Sequence, residues 1–136
     1  MNSITITITK LFLNMDLLDF ADQEYINLIT YKRDDTSVKT PVWVAAYENY
    51  LVITSSKSAG KVKRINNNGR ATIYVTDQIG SSVLSEPLEV RASIIDDEEK
   101  KQAALNIIIK KYGSMSKMFI RGSNENRAII KIEEKE

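Results

Sequence analysis

The stretch Tyr50-Leu-Val-Ile-Thr-Ser-Ser-Lys-Ser-Ala-Gly-Lys-Val-Lys-Arg-Ile65 passes from a strand pattern into a short basic helix pattern. Apolar and β-branched residues fill its first part, as in a buried strand, and small hydroxyl residues follow them. Lys57, Lys61 and Arg64 are spaced i, i+4 and i+7, so they share one face of a helix. This stretch predicts a strand that leads directly into a cationic helix.

The junction between this strand and this helix has the composition of a phosphate pocket. Ser55, Ser56 and Ser58 supply hydroxyl groups, the free N–H groups of a first helical turn favour an anion, and Gly60 permits close approach. Two other interpretations fit the same spacing: a solvated lysine-rich face, or a contact with a nucleic-acid backbone. Because 19 Lys and Arg nearly balance 18 Asp and Glu, nucleic acid is disfavoured. Spacing alone leaves the phosphate pocket and the solvated face open.

The remaining chain reads as strands separated by polar turns and a few helices. Predicted helices lie within 17–24, 55–68 and 98–112, and predicted strands cover 25–31, 38–47, 50–54, 70–76, 88–95 and 127–132. The first three strands predict an antiparallel meander, and Pro41 places its strand at a sheet edge or breaks it. We expect residues 1–14 to be an N-terminal extension, either a strand or disordered, and residues 15–136 to be one domain. The fold class is mainly β (α+β), and closure into a barrel would hide the strand edges.

The absence of two residue types narrows the chemistry. The chain has no cysteine and no histidine, which excludes disulfides, thiolate nucleophiles and a Ser-His-Asp triad, and we expect no metal site. Catalysis would need carboxylates, lysines, tyrosines or a cofactor with its own reactivity. No apolar run approaches the roughly 18 residues of a membrane helix. A cytoplasmic location without membrane contact is therefore expected.

Several motifs in order resemble one known family. Thr40-Pro-Val-Trp43, the strand end Thr54-Ser-Ser56 and the following basic segment are similar to pyridoxamine 5'-phosphate oxidase-like split-barrel proteins, within them the short PPOX-class F-420-dependent branch. The similarity runs over residues 25–121 and includes Arg91-Ala-Ser-Ile-Ile-Asp96 and Lys111-Tyr-Gly113. Two turns depart from the family pattern: Asp34-Asp-Thr-Ser37 replaces Asp-Gly, and Asn68-Gly69 replaces Asn-Pro. These departures affect the choice of cofactor more than the fold.

The resemblance implies a six-stranded antiparallel split β-barrel with flanking helices, working as a homodimer with FMN or F-420 at the interface. By position it implies a set of cofactor-binding residues: Lys61 as main phosphate ligand, Lys57, Ser58 and Arg64 beside it, Thr54 and Ser55 at the phosphate or ribityl chain, and Thr40, Pro41, Val42 and Trp43 along the tricyclic ring. Core filling is the alternative interpretation of Trp43.

The implied activity is hydride transfer between the flavin or deazaflavin and a small conjugated substrate. No catalytic residue is assigned, although strand tyrosines are candidate proton donors: Tyr25, Tyr31, Tyr47, Tyr50 and Tyr74. Two alternatives belong to other classes of protein. One is an FMN, F-420 or haem carrier without turnover, and the other is a nucleic-acid-binding β-barrel.

Overall fold

A computed structural model describes residues 15–113 and 126–136, so the prediction for residues 1–14 lies outside the described residues. A 3₁₀ helix precedes a series of strands and two α-helices. In chain order the elements are the 3₁₀ helix Leu17–Asp22, β1 Tyr25–Tyr31, β2 Ser37–Val42, β3 Ala45–Tyr47, β4 Tyr50–Ser56, α1 Gly60–Asn67, β5 Arg70–Thr76, β6 Leu88–Ile94, α2 Glu98–Tyr112 and β7 Arg127–Glu134.

The strands form one antiparallel sheet whose two edges are close in the chain. Its seven strands follow the order β2-β1-β5-β6-β7-β4-β3. The edge strands β2 and β3 are separated only by Trp43 and Val44. Since consecutive Cα atoms lie about 3.8 Å apart, the ends of β2 and β3 are within about 11 Å of each other. The sheet therefore curls and brings these two strand ends close together, which confirms the predicted split barrel, with seven strands in the described residues rather than six.

The path between β2 and β4 corrects one prediction. The predicted strand 38–47 is two strands at opposite edges of the sheet, so the antiparallel pairs β1–β2 and β3–β4 of the predicted meander both form but lie at opposite ends of the strand order, and β7 is the second neighbour of β4. The ladder stops because the fully buried Val44 donates its N–H to the Tyr112 hydroxyl at 2.9 Å rather than to a strand. The predicted edge position of Pro41 is confirmed.

The segment after β4 also differs from its predicted bounds. Ser55 and Ser56 still pair with Ala128 and Arg127 of β7, so the strand extends past Thr54 and α1 begins only at Gly60. Val62 and Ile65 are the buried residues of α1, as the pattern predicts. The hydroxyl residues therefore lie on a strand end and a turn, just before the helix.

Helix α2 packs on the outer side of the sheet. Asp97 caps it by accepting hydrogen bonds from the N–H groups of Glu99 and Lys100. Ala104, Leu105 and Ile108 are buried against residues of β3, β4 and β7, in a cluster separate from the barrel core. None of the helices within the described ranges combines the length and apolar composition needed to cross a bilayer. The C-terminal turn of α2 reaches the link between β2 and β3.

Candidate functional site

An open cleft of about 510 Å³ lies where the curled sheet closes. Strands β2 and β4 both contribute to it, although four strands lie between them in the sheet order. The lining residues are Tyr25, Pro41, Val42, Trp43, Thr54, Ser55, Ser56, Lys61, Gln78 and Arg127. Closure of the sheet therefore creates the cleft.

Two cations line the hydroxyl-rich part of the cleft. Lys61 stands in the first turn of α1, and Arg127 begins β7 opposite Ser56. The guanidinium Nε of Arg127 donates to the Thr54 hydroxyl at 3.2 Å, which fixes the side chain beside β4. Burial lowers the pKa of Lys61, and the charges of Arg127 and Arg64 lower it further. Burial also lowers the pKa of Arg127.

Arg64 adds a third positive charge behind Lys61. Its Nε donates to the Thr30 hydroxyl at 2.7 Å, so the side chain is anchored to β1. A Cβ atom built on Gly60 would lie 2.8 Å from Nη1 of Arg64, so the lack of a side chain there admits the guanidinium. No ion pair of the described residues includes Lys61, Arg64 or Arg127. A bound anion would relieve this unbalanced positive charge.

The start of α1 leaves backbone donors available next to these cations. The N-cap residue is Ala59, which makes no side-chain capping bond. The hydroxyl of Ser58, the nearest capping candidate, is instead 3.1 Å from that of Ser56. Uncapped N–H groups in a first turn interact favourably with anions. The helix therefore reinforces the attraction that Lys61 and Arg127 exert.

The other part of the cleft is aromatic and apolar. The ring of Trp43 stacks on Tyr112 with centroids 4.6 Å apart and planes inclined by 15°. Pro41 and Val42 lie beside it in the lining, and Tyr25 and Gln78 complete this part. Trp43 thus packs against Tyr112 and also lines the cleft. It fills space, as one interpretation of the sequence has it, and it leaves surface for the ring contact that the other interpretation predicts. Such a wall suits a flat aromatic ring.

The structure brings six of the ten predicted cofactor-binding residues into this cleft: Pro41, Val42, Trp43, Thr54, Ser55 and Lys61. The other four lie elsewhere. Thr40 pairs with Leu28 in the β1–β2 ladder, Lys57 lines a separate cavity, Ser58 contacts Ser56, and Arg64 is held by Thr30. The role of each as a cofactor ligand stays a prediction.

Sequence reasoning missed Gln78 and Arg127 as lining residues. Gln78 lies in a polar turn after β5 and carries no distinguishing pattern. Arg127 opens the last predicted strand, and only the pairing of β7 with β4 brings it to the cleft. The sequence shows only an arginine at the start of a predicted strand, and this does not place Arg127 at the cleft unless the strand order is known. Tyr25 and Ser56 were named as a candidate proton donor and a hydroxyl donor.

Comparison with known proteins finds similarity at the level of structure. No family model and no curated protein matches the sequence. An F-420 reductase superposes with a TM-score of 0.62 at 20% identity, covering 91% of this chain and 97% of the other. A proposed pyridoxamine 5'-phosphate oxidase from Listeria innocua gives 0.60 at 18% identity, covering 85% and 86%. An FAD-binding protein from Mesorhizobium loti gives 0.59 at 12% identity, covering 100% and 90%.

These structures share the curled antiparallel sheet, and their identities are too low to transfer a reaction. The curled antiparallel sheet agrees with the split barrel that the resemblance in the sequence implies. The chain has the split-barrel fold of the pyridoxamine 5'-phosphate oxidase-like proteins.

Proposed function

We propose that this protein is an oxidoreductase that binds FMN or F-420 in the cleft and exchanges hydride with a small conjugated substrate. One observation carries the proposal: Lys61 and Arg127, with Arg64 behind them, form a cation group without a carboxylate partner in the described residues. An aromatic wall lies in the same cleft. A phosphate-bearing ligand with a flat ring matches both parts.

The residues of the cleft fit such a cofactor by their chemistry. Lys61, Arg127 and the first N–H groups of α1 would hold the phosphate, and Thr54 and Ser56 offer hydroxyl groups beside it. Trp43 would lie along the ring. The bound cofactor would supply the redox chemistry through that ring. No carboxylate lines the cleft in the described residues, so the protein's own contribution is position and electrostatics.

A homodimer is part of the proposal. The loop that follows β5 exposes three apolar side chains, with exposed fractions of 78% for Ile79, 67% for Val83 and 40% for Leu84. This loop adjoins the cleft through Gln78. Clustered exposed apolar residues favour a protein contact, and a second copy placed there would cover the open side of the cleft. A cytoplasmic location stays a prediction.

The test is a fluorescence titration with FMN, F-420 and riboflavin, which lacks the phosphate. We expect FMN or F-420 to bind, and riboflavin to bind at least about tenfold more weakly, because a charge-assisted phosphate contact is lost. Lys61→Met should remove this difference by weakening the phosphate-bearing ligand alone. Lys63→Met is the matched control, since Lys63 is exposed on the same helix. Equal binding of FMN by the wild type and Lys61→Met would refute the phosphate assignment.

Binding without turnover is the second candidate. The observation in its favour is that the only phenol lining the cleft in the described residues is that of Tyr25, and no carboxylate or imidazole accompanies it. Anaerobic reduction of the loaded protein, followed by mixing with candidate conjugated acceptors, separates the candidates. Reoxidation that depends on the acceptor supports the enzyme, and a bound cofactor that exchanges no electrons with any acceptor supports a carrier.

A further inference from the structure

A second cavity of about 340 Å³ lies beside the cleft and shares Arg127 with it. Residues of α1, β6, β7 and the start of α2 line this cavity. Lys57, Lys101 and Arg127 supply positive charge, and Asp96 and Glu98 supply negative charge. The two carboxylate residues and Lys57 are exposed, whereas Lys101 is only 4% exposed. The deep part of the cavity is therefore cationic and its rim is mixed.

Lys101 occupies a position where the helix pattern calls for an apolar residue. Together with Ala104, Leu105 and Ile108 it forms the buried face of α2. The side chain of Lys101 makes no ion pair with any described residue. It also lies near the N-terminal end of α2, where the helix dipole disfavours a cation. Lys101 lines the cavity, and its ammonium group is not among the fully buried atoms that lack a hydrogen-bond partner. An anion in the cavity would pair with this charge.

We propose that this cavity binds a small organic anion, whose carboxylate or phosphate group pairs with Lys101 and Arg127. The volume admits a molecule smaller than the cofactor proposed for the cleft. Val62, Ile94 and Ala128 line the same cavity and suit an apolar body. Asp96 at the rim can accept a hydrogen bond from a hydroxyl or amine group of the same ligand.

The shared arginine couples the two sites. An anion in the second cavity and a phosphate in the cleft would both draw on the guanidinium of Arg127, and their like charges would repel. Binding in one site should then weaken binding in the other by the same factor. This coupling rests on the proposed function of the cleft, whereas binding to Lys101 does not.

The experiment is calorimetric titration with inorganic phosphate and with succinate at constant ionic strength. We expect at least one probe to bind to the wild type and to Lys61→Met, which weakens the cleft site. Lys101→Met should abolish that binding, and it should fold because methionine has a similar length and suits a buried face. Lys100→Met, an exposed neighbour on the same turn, is the control.

Three results overturn the proposal: no binding of either probe to the wild type, equal binding to the wild type and Lys101→Met, or binding that is lost in Lys61→Met alone. The last result leaves the cleft assignment intact. Coupling is tested by titrating FMN in saturating succinate, where we expect about fivefold weaker FMN binding in the wild type and no change in Lys101→Met. Unchanged FMN binding in the wild type would contradict the shared role of Arg127.

Discussion

Burial and two neighbouring positive charges both act on the pKa of Lys61 in the cleft. Burial holds its pKa below the usual 10.5, and the charges of Arg127 and Arg64 lower it further. A phosphate group would oppose these effects, so its binding should raise the pKa of Lys61, with uptake of a proton only at a pH where Lys61 of the free protein is partly neutral. Binding is then strongest below the pKa of the free protein, where Lys61 is already charged. The affinity should fall as the pH rises through that pKa towards 10.5.

This prediction is checked by fluorescence titration of FMN between about pH 7 and pH 10. Riboflavin corrects for titration of the ring, since it shares the ring and lacks the phosphate. Lys61→Arg should give a flat profile, because an arginine stays charged over this range. Parallel pH profiles for FMN and riboflavin in the wild-type protein would contradict the role of Lys61.

The sequence predicted those residues of the candidate site that belong to a short local motif. The serines, Lys61 and the Thr40–Trp43 segment form local motifs, and the structure brings most of them together. Arg127 was not predictable, because its place at the cleft depends on pairing with Ser56 across the β4–β7 ladder. Lys57 shares the helical spacing of Lys61, but it precedes the start of α1 and lines the second cavity instead.

At the level of elements, the end of α2 holds the link between the two sheet edges. Lys111 Nζ donates to the carbonyl groups of Ala21, Gln23 and Val44 at 2.7, 2.5 and 2.6 Å. Tyr112 Oη donates to the Glu24 carbonyl at 2.6 Å and accepts the Val44 N–H. Burial raises the pKa of Tyr112 to about 12, so its hydroxyl remains a donor at neutral pH.

We expect Lys111→Met to lower the free energy of unfolding by about 2 kcal/mol, because it removes hydrogen bonds from a charged donor. Chemical denaturation measures the change, and Lys110→Met, an exposed neighbour, is the control. The variant should also bind FMN more weakly, since Trp43 depends on the same link. If Lys111→Met lowers the free energy of unfolding no more than Lys110→Met does, the hydrogen bonds of Lys111 do not stabilise the link between β2 and β3.

The loop after β5 is fixed to the cleft by Gly80. Its φ is +79°, and a Cβ atom there would lie 2.8 Å from Oδ1 of Asn27 and 3.3 Å from the ring of Pro41. The Asn27 amide, which is fully buried, donates to the Gly80 carbonyl at 3.0 Å. The backbone of this loop therefore packs directly on a residue that lines the cleft.

Gly80→Ala should destabilise the protein by about 2 kcal/mol or more, since it adds both backbone strain and a steric clash. Gly113→Ala is the comparison, because φ is +88° there and, among the residues that the structure describes, no atom beyond its chain neighbours lies within 4 Å of the added Cβ. Thermal unfolding of both variants separates strain from clash. An equal loss of stability in the two variants would mean that the steric clash with Asn27 and Pro41 adds nothing to the cost of backbone strain.

The predicted ends of three elements agree with the observed ends, and in each of them one periodic pattern covers the whole element. Strands β1 and β5 and helix α2 have the predicted ends. The strand predicted over 38–47 failed, because the partner of Val44 is Tyr112, far along the chain, and no local pattern encodes that bond. The late start of α1 has a similar cause, since pairing with β7 keeps Ser55 and Ser56 in β4.

For the whole molecule, closure of the sheet determines what remains exposed. The sequence predicted a barrel from strand number and from the resemblance, but the order of strands is set by distant pairings such as β4 with β7. The closed sheet buries one core inside the barrel and another under α2. Ile79, Val83 and Leu84 belong to neither core and stay at the surface beside the cleft.

We therefore expect sedimentation to report a dimer, and Ile79→Glu to shift it to monomer, because a charge at an apolar contact opposes association. The folded monomer should be retained, since this side chain is 78% exposed in the single chain. Leu18→Glu, at another exposed apolar residue, is the control and should remain dimeric. If the second copy completes the cleft, Ile79→Glu should also weaken FMN binding. A monomeric wild type, or a dimeric Ile79→Glu with unchanged FMN affinity, would remove the loop from the interface.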